Sequence, residues 1–195
     1  MGVKEIWKKL TTGAIGYVTY GVLGIFFAFL LHSFLSVALS TDFPVVVVVS
    51  GSMDHGENEG GQPCGKKVFD YRENFENWWS MCRFYYDSFG ITKSEFASFP
   101  FSDGFKKGDM PIVFGSDIYK VGDVIVYEVP SQPAPIIHRI IEINSDGTYQ
   151  TKGDHNPGQN PYEKEVKKSQ IQGKVIFIIP KVGYLKVLFT ETFGI

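Results

Sequence analysis

Val45-Val-Val-Val-Val49-Ser50-Gly51-Ser52-Met53 is the stretch on which the fold turns. Valine is stiff at its branched β-carbon and favours strands. Five in a row predict a strand buried on both faces. Further strands are predicted over 124–129, 136–143, 148–152 and 174–179. Asn144-Ser-Asp-Gly147 supplies turn chemistry between the second and third of these. Gly108-Asp109 and Gly122-Asp123 are turn-type dipeptides that precede apolar runs. Short strands punctuated by Gly and Pro point to a mainly β domain.

Upstream of the valines the chemistry changes. Leu10 to Thr41 contains no Asp, Glu, Lys or Arg, a run of 32 residues. A bilayer-spanning helix needs roughly 20. The h-region of a cleaved signal peptide is usually about 7–15 residues, so the run is too long for one. Lys4, Lys8 and Lys9 precede it, opposed only by Glu5. The positive-inside rule then keeps the amino terminus cytoplasmic and puts the rest outside. The expected organisation is an anchor over 1–41 and one extracytoplasmic domain over 42–195.

Nineteen Lys and Arg against twenty-one Asp and Glu give a net charge of −2. That balance argues against nucleic acid as a partner. Two cysteines are too few for a disulfide scaffold or a four-cysteine zinc site.

Residues 56–107 interrupt the β style and read as an insertion. Its first ten residues are rich in Gly and polar groups. Phe75, Trp78, Trp79, Cys82, Tyr86 and Phe89 then recur at helical spacing. This aromatic face packs on the β domain or rests in the membrane interface, where Trp and Tyr are favoured. Cys64 and Cys82 both fall here, and outside the cytoplasm they are expected to pair.

A serine at the abrupt end of a strand, beside glycine, can be held out as a nucleophile if a general base is near. Of the four histidines, His32 lies in the apolar run, and His55 and His155 sit in polar loops. His138 lies in Pro135-Ile-Ile-His-Arg-Ile-Ile141, where a strand would hold the ring. Thr151-Lys-Gly-Asp-His-Asn156 contributes Asp154, a carboxylate able to orient an imidazole. A zinc hydrolase using His138, His155, Asp154 or His55 is the alternative, but these residues lack a tight ligand spacing.

The order of these elements resembles the signal peptidase I family. The resemblance runs through a single anchor, Ser50-Gly-Ser-Met53, Gly122-Asp-Val-Ile-Val-Tyr127, His138-Arg139, Lys152-Gly-Asp154 and the closing Ile179-Pro-Lys-Val-Gly-Tyr184. Histidine, where bacterial members carry lysine, resembles the archaeal and endoplasmic-reticulum branch. The resemblance implies Ser52 as nucleophile, His138 as base and Ser50 as oxyanion-hole donor, with no cofactor or metal. It implies a mainly β catalytic domain of signal-peptidase type on one transmembrane helix, with a partly helical insertion. The implied activity is removal of signal peptides from secretory precursors, cutting after small residues, in contact with the bilayer and with translocation machinery. Substrate is expected to add as a strand along the Val45–Val49 edge.

Three departures stand out. His55 replaces the usual proline two residues after the motif methionine, the insertion is long, and Asn160 stands where many members carry aspartate. Asp154 is therefore the expected partner of His138, with Asn160 its rival. The chain contains no Asn-x-Ser/Thr sequon, so an archaeal plasma membrane is the expected location. A non-catalytic tethered subunit and a serine peptidase of other specificity are the competing functions.

Overall fold

The computed structural model describes residues 2–184, and the chain divides into two units, Met1–Ser40 and Thr41–Ile195. In the first unit, α1 (Val3–Thr11) and α2 (Gly13–Leu39) meet at Thr12, which is extended. A Cβ on Gly16 would lie 2.7 Å from the Thr11 carbonyl, so only glycine permits this close turn. α2 has 27 residues. At 1.5 Å per residue it is about 40 Å long, more than the ~30 Å hydrocarbon core of a bilayer. Phe26, Phe27, Phe29 and Leu30 are all exposed on it. A helix that is apolar all round suits lipid rather than water. Ser40 ends it in the left-handed conformation, its N–H bonding to the carbonyls of Ser36 and Val37.

The second unit is built on a five-stranded antiparallel sheet. β1 (Met110–Phe114), β2 (Val124–Tyr127), β3 (Ile136–Ile143), β4 (Tyr149–Lys152) and β5 (Ile171–Ile179) lie in the order β1-β5-β2-β3-β4. The strand buried on both faces is β2. Val124 and Val126 join one core with Val48, Met53, Phe105, Val113 and Val175. Ile125 and Tyr127 join another with Tyr119, Ile140, Tyr149 and Val166. Burial of each such side chain contributes about 1.5–3 kcal/mol. β3 and β4 are joined through Asn144–Thr148, where Gly147 takes a positive φ of 82°.

The valine run differs from its expectation. It makes one bridge, Val45 to Ile112, and lies extended along β1, with Val46 and Val48 donating to the carbonyls of Pro111 and Asp109. Only Val48 is buried, whereas Val45 and Val49 are exposed. It is an outer edge, not a central strand. By strand alternation Val45, Val47 and Val49 turn their amides the other way, away from the sheet.

Within residues 56–107, α3 (Phe75–Asp87) begins at Asn74, whose side chain accepts from the Asn77 amide at 2.8 Å. α4 (Lys93–Ala97) begins at Thr92 in the same manner. Trp78, Trp79, Tyr86 and Phe96 are buried together. The aromatic face thus packs within the protein, rather than in the membrane interface. Cys64 and Cys82 form the expected disulfide, worth about 3 kcal/mol on the chain-entropy model for a loop of this size.

Candidate active site

The edge segment ends in a tight turn that sets Ser52. The Asp54 N–H closes it on the Gly51 carbonyl at 3.0 Å. A Cβ on Gly51 would fall 2.3 Å from Asn58 Nδ2, so any larger residue would push the Asn58 side chain aside. Met53 behind it is buried and anchors the turn in the core. The Ser52 carbonyl accepts the His155 amide at 2.9 Å, and the Met53 carbonyl accepts Phe105 at 3.1 Å. With its backbone pinned on both sides, the Ser52 side chain stands half-buried, 3.3 Å from Ser50 Oγ.

His138 and Arg139 are neighbours on β3, and neighbours on a strand point to opposite faces. His138 borders the same cleft as Ser50 and Ser52, a space of about 310 Å³ walled by Val47–Val49 on one side and Pro133–Ile137 on the other. Gly153 lies where the two halves of the site meet. A Cβ there would sit 2.7 Å from His138 Nε2 and 2.8 Å from the Ser52 carbonyl. The Nε2 edge of the ring therefore turns toward the Ser52 turn. On the other edge, Nδ1 is 2.5 Å from Glu163 Oε1, and Glu163 is fully buried. The second oxygen of Glu163 accepts both the Asn160 amide at 2.5 Å and Asn160 Nδ2 at 2.9 Å. Asn160 thus reaches the histidine only through Glu163.

Asp154 sits on the other face, with Arg139. Arg139 Nη2 donates to it at 2.7 Å and Nε at 3.0 Å. The Tyr86 hydroxyl donates at 2.9 Å, and His55 Nε2 lies 3.2 Å away. The expected Asp154–His138 contact is not formed. Burial works to raise the Asp154 pKa, but the Arg139 guanidinium and the His55 hydrogen bond outweigh it and hold the carboxyl well below its usual range. Arg139 also donates to the carbonyls of Pro100, Phe101 and Gly122. Asp154 is therefore a hub that ties the β3 strand, the loop carrying Gly153 and the insertion together. His55, at the usual proline position, stacks on Trp78 at 3.7 Å, and burial lowers its pKa.

Ser50, Ser52 and His138, the residues expected from sequence, border one cleft; Glu163 was not among those expectations. Its signal was local. Asn160-Pro-Tyr-Glu163 has the three-residue spacing of a capping box, and it folds as the single 3-10 turn Pro161–Glu163. Among the described residues, no three of His, Cys, Asp and Glu converge as metal ligands do.

No family model matches the chain. Curated proteins do. It is 35% identical over 102 residues to the signal peptidase complex catalytic subunit SEC11 of Komagataella phaffii, covering 45% of this chain and 60% of that protein. It is 34% identical over 98 residues to the same subunit of Colletotrichum graminicola, covering 45% and 57%. A longer match, 26% identical over 175 residues, relates it to the subunit of Pyricularia oryzae and covers 84% and 74%. The chain thus spans less than two thirds of the first two relatives. These relatives bear out the resemblance to the signal peptidase I family. They also correct the expected location. All three come from eukaryotes, which places the likeness with the endoplasmic-reticulum branch and not with an archaeal plasma membrane. The missing sequon that suggested otherwise reports only on glycosylation, and a disulfide suits either exterior.

Proposed function

From this kinship we propose that the chain is a membrane-anchored serine endopeptidase that removes signal peptides from secretory precursors, working as one subunit of a larger complex. The observation that carries the reading is the placement of Ser52 and the free edge of His138 on one cleft, with Glu163 fixed behind the ring. Glu163 accepts from Nδ1, which leaves Nε2 as the base that takes the Ser52 proton and later returns it to the leaving amine. Ser52 attacks the scissile carbonyl. The Ser52 N–H and the Ser50 hydroxyl stabilise the oxyanion, each donor contributing about 10²–10³ in rate.

Substrate adds in extended form to the outward amides of Val45, Val47 and Val49. The cleft beside that edge is small and walled by branched side chains, which favours small residues before the cut. α2 supplies the anchor, and Lys4, Lys8 and Lys9 keep its first end cytoplasmic.

The reading is tested by adding a secretory precursor to bilayers reconstituted with this chain and sequencing the amino terminus of the product. Cleavage after a small residue at the signal-peptide junction is expected. An uncut precursor, with and without the complex partners of the relatives' type, contradicts it.

A further inference from the structure

Ser52 borders a second cleft, of about 370 Å³, lined by Gly51, Asn58, Glu59, Gly60 and His155 among others. The first cleft holds the open valine edge. An extended substrate laid there arrives at Ser52 with the segment before the cut, and its continuation runs into the second cleft.

His155 is only 7% exposed at this wall. Its Nδ1 lies 2.9 Å from the Asp54 carbonyl, an acceptor, so Nδ1 carries the proton. Asn58 Nδ2, 3.2 Å from the same nitrogen, donates instead to the Gly51 carbonyl at 3.0 Å. Nε2 is then a bare lone pair, buried and without a hydrogen-bond partner among the described residues. A Cβ on Gly60 would lie 3.8 Å from it, so the exposed turn Asn58–Gly61 forms its cover. A buried acceptor without a donor is unfavourable and calls for one. Meanwhile the His155 main-chain amide holds the Ser52 carbonyl, so the ring is registered directly to the nucleophile.

We propose that this second cleft is the subsite for the residues that follow the scissile bond, and that the segment displaces the Asn58–Gly61 turn from His155 Nε2, which then accepts one of its main-chain N–H groups. The ligand class is the peptide backbone of the mature protein's first residues. Recognition through an N–H ignores side-chain identity, as a peptidase processing many different precursors requires. The inference rests on the peptidase reading above and assigns the half of the site that reading leaves open.

The test uses the full chain in bilayers and peptides that span the cut. The amide N–H of the second or third residue after the cut is replaced by an ester oxygen, leaving the scissile amide intact. With the native chain, one of the two esters lowers kcat/KM about tenfold, the loss expected for one hydrogen bond. His155→Asn keeps a donor near Asp54 and removes Nε2. It cleaves the all-amide peptide about tenfold less well and is indifferent to the ester. If the native chain cuts every ester as well as the amide peptide, or if both enzymes lose equally, the inference is overturned while the peptidase reading stands. If the native chain cuts no peptide, the reading of the site falls and the inference with it.

Discussion

Ser52→Ala is expected to abolish precursor cleavage while leaving the fold as it is. Removing a serine nucleophile that works as a unit with its base lowers turnover by about 10⁶ in well-developed serine peptidases. Among the described residues, the Ser52 hydroxyl hydrogen-bonds only with Ser50 Oγ, at 3.3 Å. The bonds that shape the turn run through main-chain atoms, the Ser52 carbonyl with His155 and the Met53 carbonyl with Phe105. The substitution touches none of them, so stability should change by no more than about 0.5 kcal/mol. Denaturant melts alongside cleavage rates check both halves. A variant that still cuts at a tenth of the native rate would remove Ser52 from the mechanism.

Glu163→Gln carries the second large effect. Two donors of Asn160 occupy one carboxylate oxygen, and His138 Nδ1 occupies the other. In glutamine the two Asn160 donors claim the amide oxygen. The amide NH₂ then faces Nδ1 and forces the proton onto Nε2, the wrong tautomer for a base. The corresponding aspartate-to-asparagine change in the chymotrypsin triad costs about 10⁴ in turnover, and a loss of about 10³–10⁴ in kcat with little change in KM is expected here.

Asp154→Asn is the contrast. It leaves Arg139 as an uncompensated buried charge, a change that costs about 3–5 kcal/mol of stability. The sign with pH follows from the depressed Asp154 pKa. The unfolded chain binds the proton first as pH falls, so the charge contributes stability above about pH 4 that is lost as pH falls further. The gap between native and variant therefore narrows in acid. If Asp154→Asn lost turnover while Glu163→Gln kept it, the assignment of the two carboxylates would be reversed.

Much of this arrangement is readable in the chain. The uncharged run gave α2 nearly to its ends because nothing but length and polarity decides a bilayer span. β3 fell at 136–143 as predicted, since its apolar run is bounded by Pro135 and the Asn144–Gly147 turn. The valine run misled because an unbroken apolar sequence does not say which neighbours arrive. β1, which pairs with it, contains Pro111, a residue that demotes a strand. Pro111 is tolerated because what it supplies to the valine edge is its carbonyl, which accepts the Val46 N–H.

The carboxylate behind His138 was the harder matter. Asp154 and Glu163 lie 16 and 25 residues beyond His138, and a motif gives no face. Strand alternation separates His138 from Arg139, and only the folded sheet shows that Asp154 lies with the arginine. The insertion's contribution was equally hidden. Its helix period was plain, but that Tyr86 reaches Asp154 depends on a contact across 68 residues.

Attack of Ser52 on the substrate carbonyl, as proposed, leaves an acyl group on its oxygen that can be trapped. A precursor peptide is mixed with the native chain, quenched in acid within the first turnover, and the digest weighed by mass spectrometry. A signal-peptide acyl group is expected on the fragment containing Ser52, appearing as a burst before steady cleavage. Steady cleavage with no acyl group, or with one on any other residue, would contradict it.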